Sequence, residues 1–355
     1  MNGKTDRNPA AAVGVDESAG FVGIAWRRLR RDRYAMTGLY LIVALFVVAY
    51  LAPVLANSRP IAMRFEDRLY FPAVAELFPF KYVLRYPELR TLDFAEIRGD
   101  ESISQLRAPV PYSPYESSLD EKLAPPSRSH WMGTDTLGRD VCSRVIHGAA
   151  IPLKVGLVAV AIALAIGLTL GSLAGYYGGV TDILISRLIE VVMCFPVLFL
   201  VLAVIAFLPP SIFNVMVVIG ITRWTGIARY TRAEFIRIKN EDFAHAARAL
   251  GASDRKIIFR HILPNSLAPV LVSAMFGVAG AILVEAALSF LGLGVQPPTP
   301  SWGGILSDAR EFLDVAWWLA LFPGLGIFIT VTAYNVLGEG LRDASDPHHA
   351  LPESR

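Results

Sequence analysis

The sequence predicts an all-α membrane protein of six transmembrane helices, with a long polar insert between the first and the second. Three observations lead there. Of 355 residues, 54% are hydrophobic and 18% charged, with a mean hydropathy of +0.47, less charge than a soluble domain of this length carries. The apolar residues gather into runs of about 20, the length that crosses a hydrocarbon core of about 30 Å. Basic residues cluster against the ends of these runs, as membrane topology requires.

Met1 to Gly23 is polar and small, without an apolar core or cleavage pattern, and reads as a disordered tail within a cytoplasmic segment 1–33. Arg27, Arg28, Arg30, Arg31 and Arg33 then stand directly before the first span, 34–56. That placement makes them an orientation signal, not a nucleic-acid site, and puts the N-terminus in the cytoplasm.

The insert, 57–150, is too long to obey the charge rule and is expected outside. Tyr70, Phe71, Pro72, Phe78, Pro79, Phe80 and Tyr82 give it the composition of a compact cap. Its Asp135, Arg139, Asp140 and Arg144 could suggest acid–base chemistry. No nucleophile or metal set accompanies them, so structural pairing on an amphipathic helix is the better reading. Cys142 and Cys194 are expected as packed thiols, not a disulfide.

The core, 151–340, holds five further spans. The second is Val155 to Gly175, where Gly167, Gly171 and Gly175 recur at four-residue spacing and offer a smooth face for close helix contact. A short turn, Tyr176 to Arg187, leads to a third span, Leu188 to Leu208, with Glu190 near its start and Pro196 inside. A short fourth span, Ile212 to Thr222, runs on into the amphipathic approach to the polar interval and precedes the fifth, Leu267 to Leu293. The sixth is Val315 to Leu337, where Pro323, Gly324 and Gly326 allow a kink. A cytoplasmic tail, 341–355, follows. Six spans return both ends to the cytoplasm and place the polar interval 230–265 there too. Its arginines and lysines fit that side.

This interval reads as a helix, a break and a second helix. Asn240 can cap the first piece, and Glu241 and Asp242 suit the positive end of its dipole. Phe243 to Leu250 is alanine-rich, and Gly251 supplies a left-handed stop. Ser253 and Asp254 start a basic helix expected to end before Pro264.

Ala246-Ala247, then Gly251, then Leu263-Pro264 resembles the EAA loop of ABC-transporter permeases, the short helix that docks into the ATPase subunit. The resemblance gives Asp242, Phe243, His245, Ala246, Ala247, Leu250, Gly251, Leu263 and Pro264 a coupling role. His245 stands where the family motif usually has Glu, which puts a charged contact there in doubt. Three further blocks resemble the C-type permease subunits of dipeptide and oligopeptide transporters. They are Gly133, Thr134, Asp135, Gly138, Arg139 and Asp140; then EAALSFLGLGVQPPTPSWGG from Glu285 to Gly304; then GLRDASDP from Gly340 to Pro347. The aromatic insert resembles the Yej-type subgroup of peptide transporters.

The resemblance implies a multi-pass subunit of the bacterial inner membrane with the ABC importer permease fold. It implies as partners a second homologous permease, two ATPases and a periplasmic or surface-anchored binding protein, besides membrane lipid. The chain is read as non-catalytic and without a cofactor, ATP being bound by partners. Gly3-Lys4-Thr5 lacks room for the first glycine of a phosphate-binding loop.

Glu285 lies within the fifth span on one face with Gly277 and Ala281. Two readings stand: a polar tie between helices, or part of the substrate path. The rival functions are a secondary transporter or channel without an ATPase, and a membrane hydrolase. All six histidines fall outside the spans, against the hydrolase. No duplicated half supports the transporter.

Overall fold

The computed structural model describes residues 21–345 apart from 67, 78, 85, 93, 95, 96 and 98–102. The tail before Phe21, Phe78 of the insert, and Asp346, Pro347, His348 and His349 lie outside the described residues.

The chain opens with α1 (Phe21–Leu29) and α2 (Arg33–Leu55). The segment expected as an irregular tail is therefore helical from Phe21. The Asp32 carboxylate accepts from the Tyr34 and Ala35 N–H groups and so caps α2. Past α2 the insert begins with a small sheet. Strands β1 (Ala62–Phe65), β2 (Arg68–Tyr70) and β3 (Gln105–Leu106) make an antiparallel sheet in the order β2-β1-β3. Its register pairs Met63 with both Tyr70 and Gln105. Met63, Tyr70 and Leu89 are its buried centre.

The cap is tied to the helices through α3 (Val141–Gly148). Asp140 caps α3 through the Ser143 N–H at 2.6 Å and bonds the buried His130 Nδ1 at 2.8 Å. Burial pushes the Asp140 carboxyl above its ordinary value, against these two bonds, which pull it down. Asp135 pairs with Arg139 Nε at 2.7 Å and Arg144 Nε at 3.3 Å, and Arg139 also reaches Asp308 at 3.5 Å. The four charged residues are thus a structural knot. Asp135 and Arg139 sit in the turn before α3, not on it.

Two tryptophans lock the knot to the far end of the chain. Trp318 Nε1 donates to the Thr134 carbonyl at 3.0 Å, and Trp302 Nε1 to the Val145 carbonyl at 2.9 Å. Trp302 begins α11 (Trp302–Ala309), a helix not expected from the sequence, and Trp318 begins α12 (Trp318–Ser345). Helix α12 runs on through residues expected as tail, and Ala344 is buried.

The second span is α4 (Ala150–Tyr177). Only Gly178 and Gly179, at φ +67° and +54°, form the turn expected over Tyr176 to Arg187; α5 (Gly179–Met193) starts at once. The third span is not one helix. It is α5 and α6 (Val197–Ile205), bent by 82° at Pro196. Proline has no N–H to donate and disfavours helix at the residue before it, Phe195. Where the short fourth span and its run-on were expected, α7 runs unbroken from Ile212 to Lys239.

After α8 (Asp242–Ala249) and α9 (Asp254–Lys256), a wide π turn, Ile257–Ile262, runs directly into α10 (Leu263–Phe290). Pro264 thus starts a helix and does not end one, because a wide turn before it removes the need for its missing donor. Pro323 likewise lies within a continuous α12.

Among the described residues, four helical stretches are long and apolar enough to cross a membrane: Arg33–Leu55, Val141–Tyr177, Asp254–Phe290 and Trp318–Ser345. The bent pair brings the number to five, one short of the expected six. The missing one is α7, whose apolar start runs into Arg223 and Arg229.

Helices α4 and α7 form the most extensive helix pair. A Cβ on Gly167 would lie 2.7 Å from Ile227, one on Gly171 2.5 Å from the Ala228 carbonyl, and one on Gly175 2.6 Å from Phe235. The three glycines therefore set backbone-to-backbone contact along the pair. Gly171→Val must push backbone apart. It is expected to destabilise the detergent-solubilised protein by about 1–3 kcal/mol, read as a lowered thermal midpoint. Gly324→Ala, where a Cβ meets nothing within 4 Å, is the control and should leave the midpoint in place.

Candidate ATPase-coupling loop

The polar interval is built on the last turns of α7. Phe235 and Ile238 are buried there with Tyr176 of α4 and Ile257 and Ile262 of the π turn. Asn240 is the C-cap of α7, and its side chain donates back to the Ile236 carbonyl at 2.9 Å. It does not cap α8, a correction of the expectation; Glu241 holds that position without a side-chain bond. Helix α8 ends as expected. Gly251 has φ +77°, its N–H donates to the Arg248 carbonyl, and Ala252 N–H donates to Ala247. That pair of bonds is the glycine-terminated helix end that only a residue tolerating the left-handed region allows.

The expected docking alanines separate. Ala247 is half-buried and packs on the loop's own core, and Ala244, which the sequence reading did not single out, is buried. Ala246 points out. With Phe243 and Leu250, at 43% and 88% exposure, it forms an apolar stripe at i, i+3, i+7. Asp242 and His245 are exposed beside it. Leu263 packs half-buried into the loop core, whereas Pro264 is exposed.

Tyr176 ties the loop to α4, and the sequence reading missed it. Its hydroxyl donates to Asp254 Oδ1 at 2.5 Å and accepts from Arg248 Nη2 at 3.4 Å. Its carbonyl accepts from Lys239 Nζ at 2.5 Å. Lys239 and Arg248 also lie 5.7 and 5.8 Å from its ring centroid. One residue at the end of α4 therefore holds α7, α8 and α9 together. Nearby, Arg232 of α7 clamps Asp182 of α5 through two bonds, one of 2.7 Å from Nη2 to Oδ2.

Glu285 is apart from all of this, 2% exposed, accepting from Ser289 Oγ at 2.7 Å. Ser289 Oγ in turn accepts from the Val295 N–H at 3.2 Å. The carboxylate thus braces the end of its own helix and the turn after it.

Residues 167–349 match the family described as binding-protein-dependent transport system inner membrane component. The chain belongs to this family. Residues 20–72 match a second description, the N-terminal transmembrane domain of oligopeptide transport permease C. The dipeptide transport system permease protein DppC of Bacillus subtilis is 34% identical over 91% of this chain and 84% of its own length. Its namesake from Alkalihalophilus pseudofirmus is 46% identical over 65% of this chain and 76% of that protein. The glutathione transport system permease protein GsiD of Pectobacterium atrosepticum is 44% identical over 62% and 74%.

Among solved structures, an inward-facing MetNI methionine ABC transporter matches with a TM-score of 0.46 and 17% identity, over 57% of this chain and 94% of that one. That score is too low to add to the assignment. The protein is thus an inner-membrane permease subunit of an ABC importer, a class that works with an ATPase and a binding protein. The permease fold expected from the sequence stands; the count of six spans does not follow from helix length and composition.

The Tyr176 network has a measurable consequence. Tyr176→Phe deletes the hydroxyl and both its bonds, at a cost of about 1–3 kcal/mol. Amide hydrogens of Asp242 to Ala249 should then exchange about tenfold faster, while those in the middle of α4 stay protected.

Proposed function

We propose that this subunit moves peptides, or a closely related solute, inward across the bacterial cytoplasmic membrane, with α8 as the element that engages a partner ATPase. ATP is bound and hydrolysed by that partner, and this chain holds no cofactor. A second, homologous permease completes the path, two ATPases drive it, and a binding protein delivers the solute. The peptide assignment rests on the relatives named for dipeptide and glutathione transport.

The observation that carries the coupling role is the outward stripe of Phe243, Ala246 and Leu250 on a short helix braced from behind. Apolar residues so exposed on a polar surface fit an amphipathic helix laid in a partner's groove. Asp242 and His245 flank the stripe and would meet the rim of that groove. Gly251, Leu263 and Pro264 hold the helix at its angle.

Several contacts support a cytoplasmic loop with both chain ends on its side. A Cβ on Gly340, near the end of α12, would meet Ala35 and Leu29, so the start of α2 lies beside the end of α12. Gly338 packs against Phe276 and Met275 in the loop-side half of α10. With α5–α6 as one broken span and α7 as another, six crossings satisfy this arrangement.

Purification of the detergent-extracted subunit should bring along a second permease and a Walker-type ATPase. Recovery of the chain alone or as a homo-oligomer would favour a channel or secondary transporter. Gly251→Val has open space around it but forces a β-branched residue to positive φ. It should abolish uptake with membrane insertion intact; normal uptake would defeat the coupling role. Leu250→Asp should release the ATPase from an otherwise folded subunit.

A further inference from the structure

Arg223 is a cation in the part of the protein least able to hold one. Ile212 to Arg223 covers about 16 Å of α7 at about 1.5 Å per residue. Gly280 lies about 15 Å from the Phe290 end of α10 by the same rise, counted from the same side of the bundle. Both distances are about half of a hydrocarbon core of about 30 Å. The two residues meet there: a Cβ on Gly280 would lie 2.2 Å from Arg223 Nη2 and 2.8 Å from Cζ. Glycine thus lets the guanidinium lie flat across the α10 backbone.

Among the described residues no acid neutralises it: Arg223 has neither an ion-pair partner nor a hydrogen-bond partner there. Glu285, the buried acid of α10, is bonded to Ser289 and does not line the space around Arg223. That space is a cavity of about 220 Å³ between α4, α7 and α10, with Arg223, Gly226, Ser273, Phe276 and Gly277 among its walls. An unpaired charge at this depth is tolerated only where it faces water or a counter-ion. The planar guanidinium presents parallel N–H donors that match a carboxylate in two bonds. Gly226 on α7 and Gly277 on α10 put no side chain into this space, and Ser273 of α10 adds a hydroxyl to its wall.

We propose that Arg223 is an anion-binding station on the translocation path, taking the C-terminal carboxylate of a peptide halfway across the membrane. This rests on the peptide-import reading above. It assigns the middle of the path a charge preference separate from the selectivity of the binding protein.

The test uses the assembled transporter in proteoliposomes, supplied with saturating peptide-loaded binding protein. Arg223→Gln should lower the maximal uptake rate about tenfold to a hundredfold, the range expected for a lost charge-assisted hydrogen bond. Arg223→Lys, which keeps the charge but not the paired donors, should recover part of the rate, and both variants should retain the partner permease and ATPase. Unchanged uptake by Arg223→Gln would overturn the proposal. So would loss of the partner permease, which would make Arg223 an assembly contact.

A second measurement reads the site without transport. Arg223→Cys, made with Cys194→Ala because Cys194 is itself exposed, should react with a membrane-impermeant anionic thiosulfonate. Loaded binding protein and ATP should slow that reaction. No labelling would show a dry pocket and end the proposal. If the wild-type complex imports no peptide, the functional reading fails, and this labelling alone decides whether Arg223 faces an aqueous path.

Discussion

The contact on which the rest depends is the glycine seam between α4 and α7. Gly167, Gly171 and Gly175 let the two backbones touch, so that Ile227, Ala228, Thr231 and Phe235 lie directly on α4. In a lipid environment, where apolar side chains gain nothing by leaving water, such close packing is the main attraction between helices. It also keeps α7 helical well past its apolar part. The segment after Thr222 carries Arg223, Arg229, Arg232, Arg237 and Lys239, yet α7 does not break, because its inner face stays docked to Tyr176 and the loop core.

This seam frames both candidate sites from one helix pair. At its loop end it sets Tyr176 within reach of Lys239, Arg248 and Asp254, so α8 is held by polar bonds as well as by Ala247. Nearer its other end, Gly220 rests on Ala159 and Ile162, and the Arg223 cavity opens just beyond. A displacement of α8 acts on the ends of α4 and α7 together. It must carry the seam with it, because a packed glycine interface moves as a body and does not stretch.

Much of this was legible in the sequence, and the gaps have identifiable causes. The four-residue glycine spacing announced the seam, and the alanine run closed by Gly251 announced α8 and its end. The charged block around Asp135 was correctly read as structural. Hydropathy says how apolar a stretch is, not whether it is straight. The 82° bend at Pro196 was therefore missed, whereas the run-on of α7 was legible because Ile227, Thr231, Phe235 and Ile238 keep helical spacing into the polar interval. Pro264 misled because a proline stops a regular helix but can begin one after a wide turn. Ala246 and Ala247 were alike in sequence; only the packing of α8 on Ile257 and Ile262 gives them opposite faces. Tyr176 and Trp302 gave no local signal, since their partners lie far along the chain.

The two ends of the bundle are built for different mechanical demands. On the cap side, Trp302 and Trp318 donate to backbone carbonyls of the α3 region, and Arg139 reaches from there to Asp308. Indole donors buried against backbone acceptors have no alternative partner, so that end resists rearrangement. On the loop side, the ties are side-chain bonds and cation–ring contacts around one buried tyrosine, and the outer stripe of α8 is exposed. Such contacts can shift by a fraction of a turn at small cost. In the proposed coupling role of α8, a bundle clamped at one end and more loosely jointed at the other would turn a push on that helix into rotation about the clamp. The wall that such a rotation would move, α7 against α10, is the one on which Arg223 sits.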